Sequence, residues 1–437
     1  STIINAQRSL GFSIEIYPTQ LHEDEEEHIV VDEWEAFGCA LLWRNCAAFG
    51  EETYIEKLVA SLEKSKESKG DAEMTKEEIF EFLKEQYCVG DKKAQIAYEI
   101  ACREKALLDQ LDCKNGYSLY AGIPFCPSIC SYCSFSSSPI AEWKDQVDRY
   151  LDAMIKELKA TAKLMQGKTL DTVYIGGGTP TTLEADQLDR LLGTIRENFD
   201  LEHVLEFTVE AGRPDSITRE KLEVIRKYPV TRISVNPQTM QQKTLDLVGR
   251  KHTVEDVEQI FHLARELGFD NINMDLIAGL PGEDAADMQD TLEKIEKLHP
   301  DSLTVHALAI KRAAKFGQEG RTMDPGTEIT QMVEAAAASA ERMGLVPYYL
   351  YRQKNIAGNF ENVGYAEQDK AGVYNILIME EMQTIVALGA GAITKAVYPN
   401  GRIERCENVK DIKTYLEKTD EMIERKKKLF ADEKRSD

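Results

Sequence analysis

Between about residues 116 and 310, short apolar runs alternate with longer amphipathic ones. SLYAG, TVYIG, LEFTVE, RISVN, INMDLI and SLTVHAL have the length and composition of strands, while stretches such as DQVDRYLDAMIKELKATAKLM repeat apolar side chains at helical spacing. Six βα units in succession predict an α/β fold with parallel strands, helices outside them, and ligand-bearing residues at the carboxyl ends of the strands. Periodicity alone leaves open whether such a sheet stays open or curls into a barrel.

The flanking regions follow other patterns. Residues 1–115 read as an N-terminal accessory α/β domain, with strand-like SIEIY at 13–17, an acidic run from Glu23 to Glu27 and helical periodicity from about 33 onward. The acidic side chains read as a solvated face, because nothing orders them around an ion. The link KSKESKGDAEMTKEE is polar, and no chemistry is assigned to this region. The βα region is set at 116–320. Residues 321–437 mix helices such as EITQMVEAAAASAERMG with the aromatic stretch Tyr348-Tyr349-Leu350-Tyr351-Arg352-Gln353-Lys354 and a charged terminal helix, an α+β extension expected to cover the substrate side.

A chain of 437 residues is long enough for two or three domains and a large core. No apolar run reaches the roughly 18 to 20 residues of a membrane span. With 53 basic against 76 acidic side chains the net charge is −23, which repels polyanions and argues against nucleic acid as a partner. The opening STIINAQRSLGF lacks a basic segment followed by an apolar one, so the expected location is cytoplasmic.

The cysteines change the picture. Nine of them, an odd number in a long chain, do not read as a disulfide framework. Cys39, Cys46, Cys88, Cys102, Cys113 and Cys406 are scattered and read as small buried hydrophobes. Cys126, Cys130 and Cys133 fall within eight residues, in Tyr120-Ala-Gly-Ile-Pro-Phe-Cys-Pro-Ser-Ile-Cys-Ser-Tyr-Cys133, on a loop broken by two prolines. Cys-x3-Cys-x2-Cys can wrap three thiolates around one soft-metal centre without needing a helix. Zinc would want a fourth ligand nearby, and Ser134-Phe135-Ser136-Ser137 supplies none. A [4Fe-4S] cluster held by three cysteines keeps one iron open to a substrate or cofactor.

Other residues gather at predicted strand ends. Gly176-Gly177-Gly178-Thr179-Pro180-Thr181 follows the second strand, where missing Cβ atoms allow close backbone approach; it is not a phosphate-binding loop, since the Lys and Ser/Thr of that motif are missing. Such a turn is as readily structural as ligand-binding. Glu210, Gln238, Arg250 and Asp275 lie at or just past later strands, where an Asp alone more often caps the next helix than binds a cofactor.

The cysteine motif after the first strand resembles that of the radical S-adenosylmethionine (SAM) superfamily, and Tyr-Ala-Gly-Ile-Pro-Phe-Cys-Pro is similar to its oxygen-independent coproporphyrinogen III dehydrogenase-like subgroup, closest to the group called HemZ. The matching residues run from about Tyr120 to Ile393. The resemblance implies a partial (β/α)6 barrel, a [4Fe-4S] cluster on Cys126, Cys130 and Cys133, and SAM as second cofactor. It further implies SAM contacts from Tyr120, Tyr132, Gly177, Gly178, Thr179, Glu210, Gln238, Arg250, Asp275, Ala309 and Ile393. In this family an electron from the reduced cluster cleaves SAM to a 5'-deoxyadenosyl radical, so a low-potential donor such as flavodoxin or ferredoxin is an implied partner.

The implied substrate is a tetrapyrrole, and the implied reaction is oxidative decarboxylation of coproporphyrinogen III propionates to vinyl groups. Lys311, Arg312 and Lys315 beyond the sixth strand, and Arg352 with Lys354 among the tyrosines, suit propionates and a macrocycle face. The same residues also read as solvated cations beside a tyrosine-rich core strand. Three features depart from the subgroup: Phe135 replaces a further cysteine, Gly122 replaces a histidine, and Asn236-Pro237-Gln238 replaces Gly-Val-Gln. The related haem chaperones carry His-Asn-x-x-Tyr-Trp where this chain reads Glu361-Asn362-Val363-Gly364-Tyr365-Ala366, without the histidine. His252 and His306 read as packed barrel residues rather than iron ligands. Anaerobic opening or methylation of the haem ring, and haem carriage, are the alternative activities.

Overall fold

The computed structural model describes residues 13–23, 29–40, 75–87, 89–135, 137–311, 314–319, 327–351, 361–398 and 401–433. They belong to two units, one within 1–103 and 350–354, the other within 104–349 and 355–437.

In the first unit, β1 (Ser13–Glu23) and β2 (Ile29–Ala40) form an antiparallel pair running from Ser13↔Ala40 to Glu23↔Ile29. The expected helical pattern from about residue 33 is therefore corrected: as far as Ala40 the chain is strand. The β-branched opening Ile29-Val30-Val31 favours extended backbone, and β1 satisfies cross-strand the amides that a helix would satisfy internally. Helices α1 (Lys76–Tyr87) and α2 (Asp91–Leu108) follow.

The second unit carries all six expected parallel strands: β3 (Gly116–Ile123), β6 (Thr169–Gly177), β7 (Glu206–Gly212), β8 (Arg232–Val235), β9 (Ile272–Ala278) and β10 (Ser302–Ala307), hydrogen-bonded in that order. The short pair β4 (Phe125–Cys126) and β5 (Ser138–Pro139) closes the cysteine loop at its base. Between the long strands run α3 (Val147–Leu164), α4 (Ala185–Asn198), α5 (Arg219–Arg226), α6 (Gln242–Val248), α7 (Val254–Glu266) and α8 (Ala285–Leu298). On α3, Val147, Tyr150, Leu151, Met154, Ile155 and Leu158 are buried, the i, i+3, i+4, i+7 stripe of a helix lying on a sheet.

Each strand has an apolar face and a polar face. Tyr117, Leu119, Ala121 and Ile123 of β3, with Phe207, Val209 and Ala211 of β7, join the main core beneath the helices. The alternate residues are Ser118, Tyr120 and Gly122 on β3, Glu206, Thr208 and Glu210 on β7, and Asn273 and Asp275 on β9. They bond to one another: the Thr172 hydroxyl donates to Ser118 Oγ at 2.8 Å, and Asn273 Nδ2 to Asp275 Oδ1 at 2.7 Å. A period of two in a parallel sheet follows from this polar inner surface.

Beyond β10 come α9 (Lys315–Gln318), α10 (Thr327–Arg342), β11 (Val346–Tyr351), β12 (Asn362–Ala366), α11 (Val373–Glu380), β13 (Thr384–Leu388), β14 (Ile393–Val397), β15 (Ile403–Glu407) and α12 (Ile412–Glu433). The extension builds onto the barrel's own sheet. β12 pairs antiparallel with β10, while β13 lies parallel to β3 with β14 and β15 outside it. Between these two edges α11 places Tyr374 within the inner face, its amide donating to Glu206 Oε2 at 3.2 Å.

Candidate active site

The cysteine loop leaves β3 at its carboxyl end, and three elements distant in sequence hold it. The glycine turn after β6 is the first. Gly178 N donates to Ile123 O and Thr179 N to Phe125 O, both at 2.7 Å, and a Cβ on Gly178 would stand 2.5 Å from Phe125 O. Gly177 has φ +108°, a conformation that glycine adopts without strain. The close approach in this structure is between the turn and the backbone leading into the cysteines. Thr179 Oγ1 then reaches Cys126 Sγ at 3.4 Å.

The second element is Arg213, just past β7 and 3% exposed. Its Nη1 donates to Ser128 O at 2.8 Å, Ser128 Oγ at 3.0 Å and Cys130 Sγ at 3.7 Å. Nε and Nη2 form a fork on Asp215 at 2.9 and 2.7 Å. Burial alone would raise the Asp215 carboxyl, yet His252 and Arg213 beside it hold it far below the usual carboxylate range. Sequence reading missed Arg213. Only its position two residues before an acid, just after a strand, could have marked it.

The third element follows α6. Ser131 N donates to Val248 O and Ser128 Oγ to Gly249 O, each at 3.0 Å, with Gly249 in the left-handed conformation that ends the helix. Arg250 is buried, with Nη1 on Asn236 O at 2.5 Å and Pro237 O at 3.3 Å, while its Nε has no protein hydrogen-bond partner. Ser234 Oγ and Asn236 Oδ1, on the same strand and its exit, are likewise buried without a partner. Burial opposes charge on Arg250, but Tyr132 and Cys130 close by strengthen it.

All three cysteines are free thiols, Cys130 buried and the other two partly exposed. Burial pushes Cys126 up, and burial with the neighbouring Cys130 and Cys126 pushes Cys133 up to about 11. Among the described residues no three Cys, His, Asp or Glu side chains converge on a point as one metal ion demands. A [4Fe-4S] cube asks for something else, separate thiolates on separate irons, and three adjacent thiols flanked by two buried guanidiniums fit it. The orphaned donors and acceptors at Arg250, Ser234 and Asn236 fit a polar molecule at the same mouth.

The other expected residues line the inner face. Tyr120 stacks on Tyr174 at 6.2 Å and Tyr374 at 6.3 Å between ring centres, and Tyr174 and Tyr374 stack at 4.4 Å. The Tyr174 hydroxyl donates to Glu210, whose carboxyl is pushed up to about 7 chiefly by burial and, beyond that, by Asp275. Asp275 faces His306 Nε2 at 4.0 Å. Gln238 is held at φ 70° by bonds to β9: its amide donates to Asp275 O, and its carbonyl accepts from Ile277 N, both at 2.9 Å. Ala309 packs on the main core. Ile393 opens β14 and is 44% exposed, two strands from β3. Lys311 is half-buried past β10, Lys315 is exposed and 3.8 Å from Glu319, and Arg312, Arg352 and Lys354 lie outside the described residues. Tyr348 and Tyr349 belong to the core, buried with Asn375 Nδ2 donating to the Tyr348 hydroxyl at 3.3 Å and Gly364 under the Tyr349 ring. They are therefore not an open face for a macrocycle.

Residues 120–295 match the Radical SAM superfamily. The chain is 43% identical over 373 residues to the oxygen-independent coproporphyrinogen-III oxidase-like protein HemZ of Bacillus subtilis, covering 82% of this chain and 74% of that protein. It is 35% identical over 239 residues to the heme chaperone HemW of the same organism, covering 53% and 62% of the two chains. In structure it resembles coproporphyrinogen III oxidase (HemN) of Escherichia coli, with TM-score 0.59, 24% identity and 73% of each chain covered. Among the described residues no helix is long and apolar enough to cross a membrane.

Proposed function

Because this chain belongs to the radical SAM superfamily, in its HemN- and HemZ-like subgroup, we propose that it is an oxidoreductase that removes carboxyl groups from the propionates of coproporphyrinogen III without oxygen. Its cofactors are a [4Fe-4S] cluster and SAM. Bound together, they supply a carbon radical able to take hydrogen from an unactivated carbon.

Cys126, Cys130 and Cys133 hold the cluster as thiolates in this reading. Tyr120, Tyr132, Gly177, Gly178, Thr179, Glu210, Gln238, Arg250, Asp275, Ala309 and Ile393 are the residues that would contact SAM. The unpartnered Nε of Arg250 suits its carboxylate. Lys311 is the cation among the described residues proposed for the substrate's propionates; Arg312 and Arg352, named for the same role by the sequence resemblance, lie outside the described residues. A propionate side chain that reacts would lose a hydrogen atom from the carbon next to the ring, then CO2 and one electron, leaving a vinyl group. A flavodoxin or ferredoxin supplies the reducing electron, and a separate acceptor takes the one released. The residues' part is to hold the substrate carbon close and to exclude water.

One observation carries this reading: the three-cysteine loop leaves the carboxyl end of β3 and is tied to the turn after β6, to Arg213 past β7 and to the end of α6, at the carboxyl ends of the parallel strands. The test is an anaerobic incubation of cluster-reconstituted protein with SAM, a low-potential reductant and either coproporphyrinogen III or haem, followed by mass spectrometry. Loss of CO2 from coproporphyrinogen is expected. Methyl gain or ring opening of haem, or tight haem binding with the tetrapyrrole unchanged, would replace decarboxylation by haem breakdown or haem carriage. Cys130→Ala is expected to abolish cluster absorbance and SAM cleavage together.

A further inference from the structure

Arg213 is a buried cation that touches a cluster cysteine and belongs to neither the cysteine motif nor the SAM contacts. One edge of its guanidinium reaches the Ser128 carbonyl and hydroxyl and the Cys130 sulfur, and the other edge is gripped by Asp215. Asp215 lies 16% exposed, with His252 Nδ1 at 3.9 Å behind it. Ser128 passes the restraint on, since its hydroxyl donates to Gly249 O beside Arg250. The planar fork on Asp215 and the bonds to Ser128 restrain Arg213, so its charge is held close to the sulfur.

We propose that Arg213, braced by Asp215, is a positioning residue that locks the cysteine loop in its ligand-bearing shape and sets the reduction potential of the cluster through its charge-assisted bond to Cys130. The inference rests on the reading that Cys126, Cys130 and Cys133 hold a [4Fe-4S] cluster. Positive charge and hydrogen bonds at a cluster sulfur stabilise the more negative, reduced state, and low dielectric around a buried guanidinium enlarges that effect. Asp215 opposes it, so the pair predicts shifts of opposite sign.

The experiment is an EPR-monitored redox titration of the anaerobically reconstituted full chain, without SAM, with iron counted per chain. Arg213→Gln removes the charge but keeps a donor, and reduction should become about tenfold less favourable, a fall of about 59 mV for one electron. Asp215→Asn leaves the arginine uncompensated, and its cluster should reduce more readily than in the unaltered protein. Arg213→Lys should restore most of the potential while lowering iron content, because a point charge lacks the fork. Opposite shifts in the two neutralising variants support the proposal. Potentials that are unchanged, or that move the same way in both, overturn it; if Arg213→Gln binds no iron, the direction found for Asp215→Asn decides. Failure of the unaltered protein to take up a cluster would strike the cluster reading itself.

Discussion

The hydroxyl of Tyr174 on β6 donates to the carboxylate of Glu210 on β7, so that an acid on the inner face of the barrel has a neighbour on the adjacent strand. Tyr374, brought in by α11, stacks on that tyrosine. The acid thus sits in an aromatic wall, and burial pushes its pKa up from 4.5 to about 7.

A pH dependence of stability follows. Glu210 binds its proton more tightly folded than unfolded, so its favourable contribution is complete below pH 4.5 and is lost as pH rises through about 7. Glu210→Gln should flatten this part of the curve. Urea unfolding of the cofactor-free protein at pH 5 and pH 8 should show the variant gaining stability relative to the parent at the higher pH; parallel curves would remove the burial argument.

Gly178→Ala tests the approach of the glycine turn to the cysteine loop. The added methyl meets Phe125 O, and relief requires moving the very backbone that leads into Cys126. Overpacking of this kind costs about 1–3 kcal/mol. The expected outcome is a folded protein by circular dichroism with clearly less iron per chain after reconstitution.

Arg250→Lys keeps the charge and gives up the planar guanidinium, whose Nη1 donates to both Asn236 O and Pro237 O while Nε has no protein partner. SAM affinity should fall about tenfold, roughly 1.4 kcal/mol, with iron content unchanged. Calorimetric titration of SAM into both proteins measures this, and equal affinities would take Arg250 out of the SAM set.

Away from the site, Lys426 on α12 and Glu157 on α3 form an ion pair of 2.6 Å with side-chain exposures of 1% and 0%. Glu157 also accepts from Tyr415 at 2.6 Å, Asn408 at 2.8 Å and Gly389 N at 3.0 Å. Lys426→Met would strand a buried carboxylate, at a cost of about 3–5 kcal/mol. Denaturant unfolding should show that loss, and a change below about 1 kcal/mol would mean that the remaining donors suffice.

Local signals carried far in this chain. Three thiols within eight residues and a strand-helix alternation repeated six times are properties of neighbouring positions, so the cysteine loop, the parallel strands and the polar residues at their ends could all be read in order. Partners chosen across the fold could not. Arg213 meets Ser128 and Cys130 across more than eighty positions, Tyr374 enters the barrel wall from a helix near the end of the chain, and Tyr348 and Tyr349 are closed into the core. The stretch from residue 33 to Ala40 shows the same limit, since a helix-like pattern became strand once β1 offered it a backbone partner. Sequence alone determined which chemistry the loop can bear, because ligand type and spacing are local; tertiary structure decided which charges surround it, because burial and long-range contact depend on the whole sheet closing.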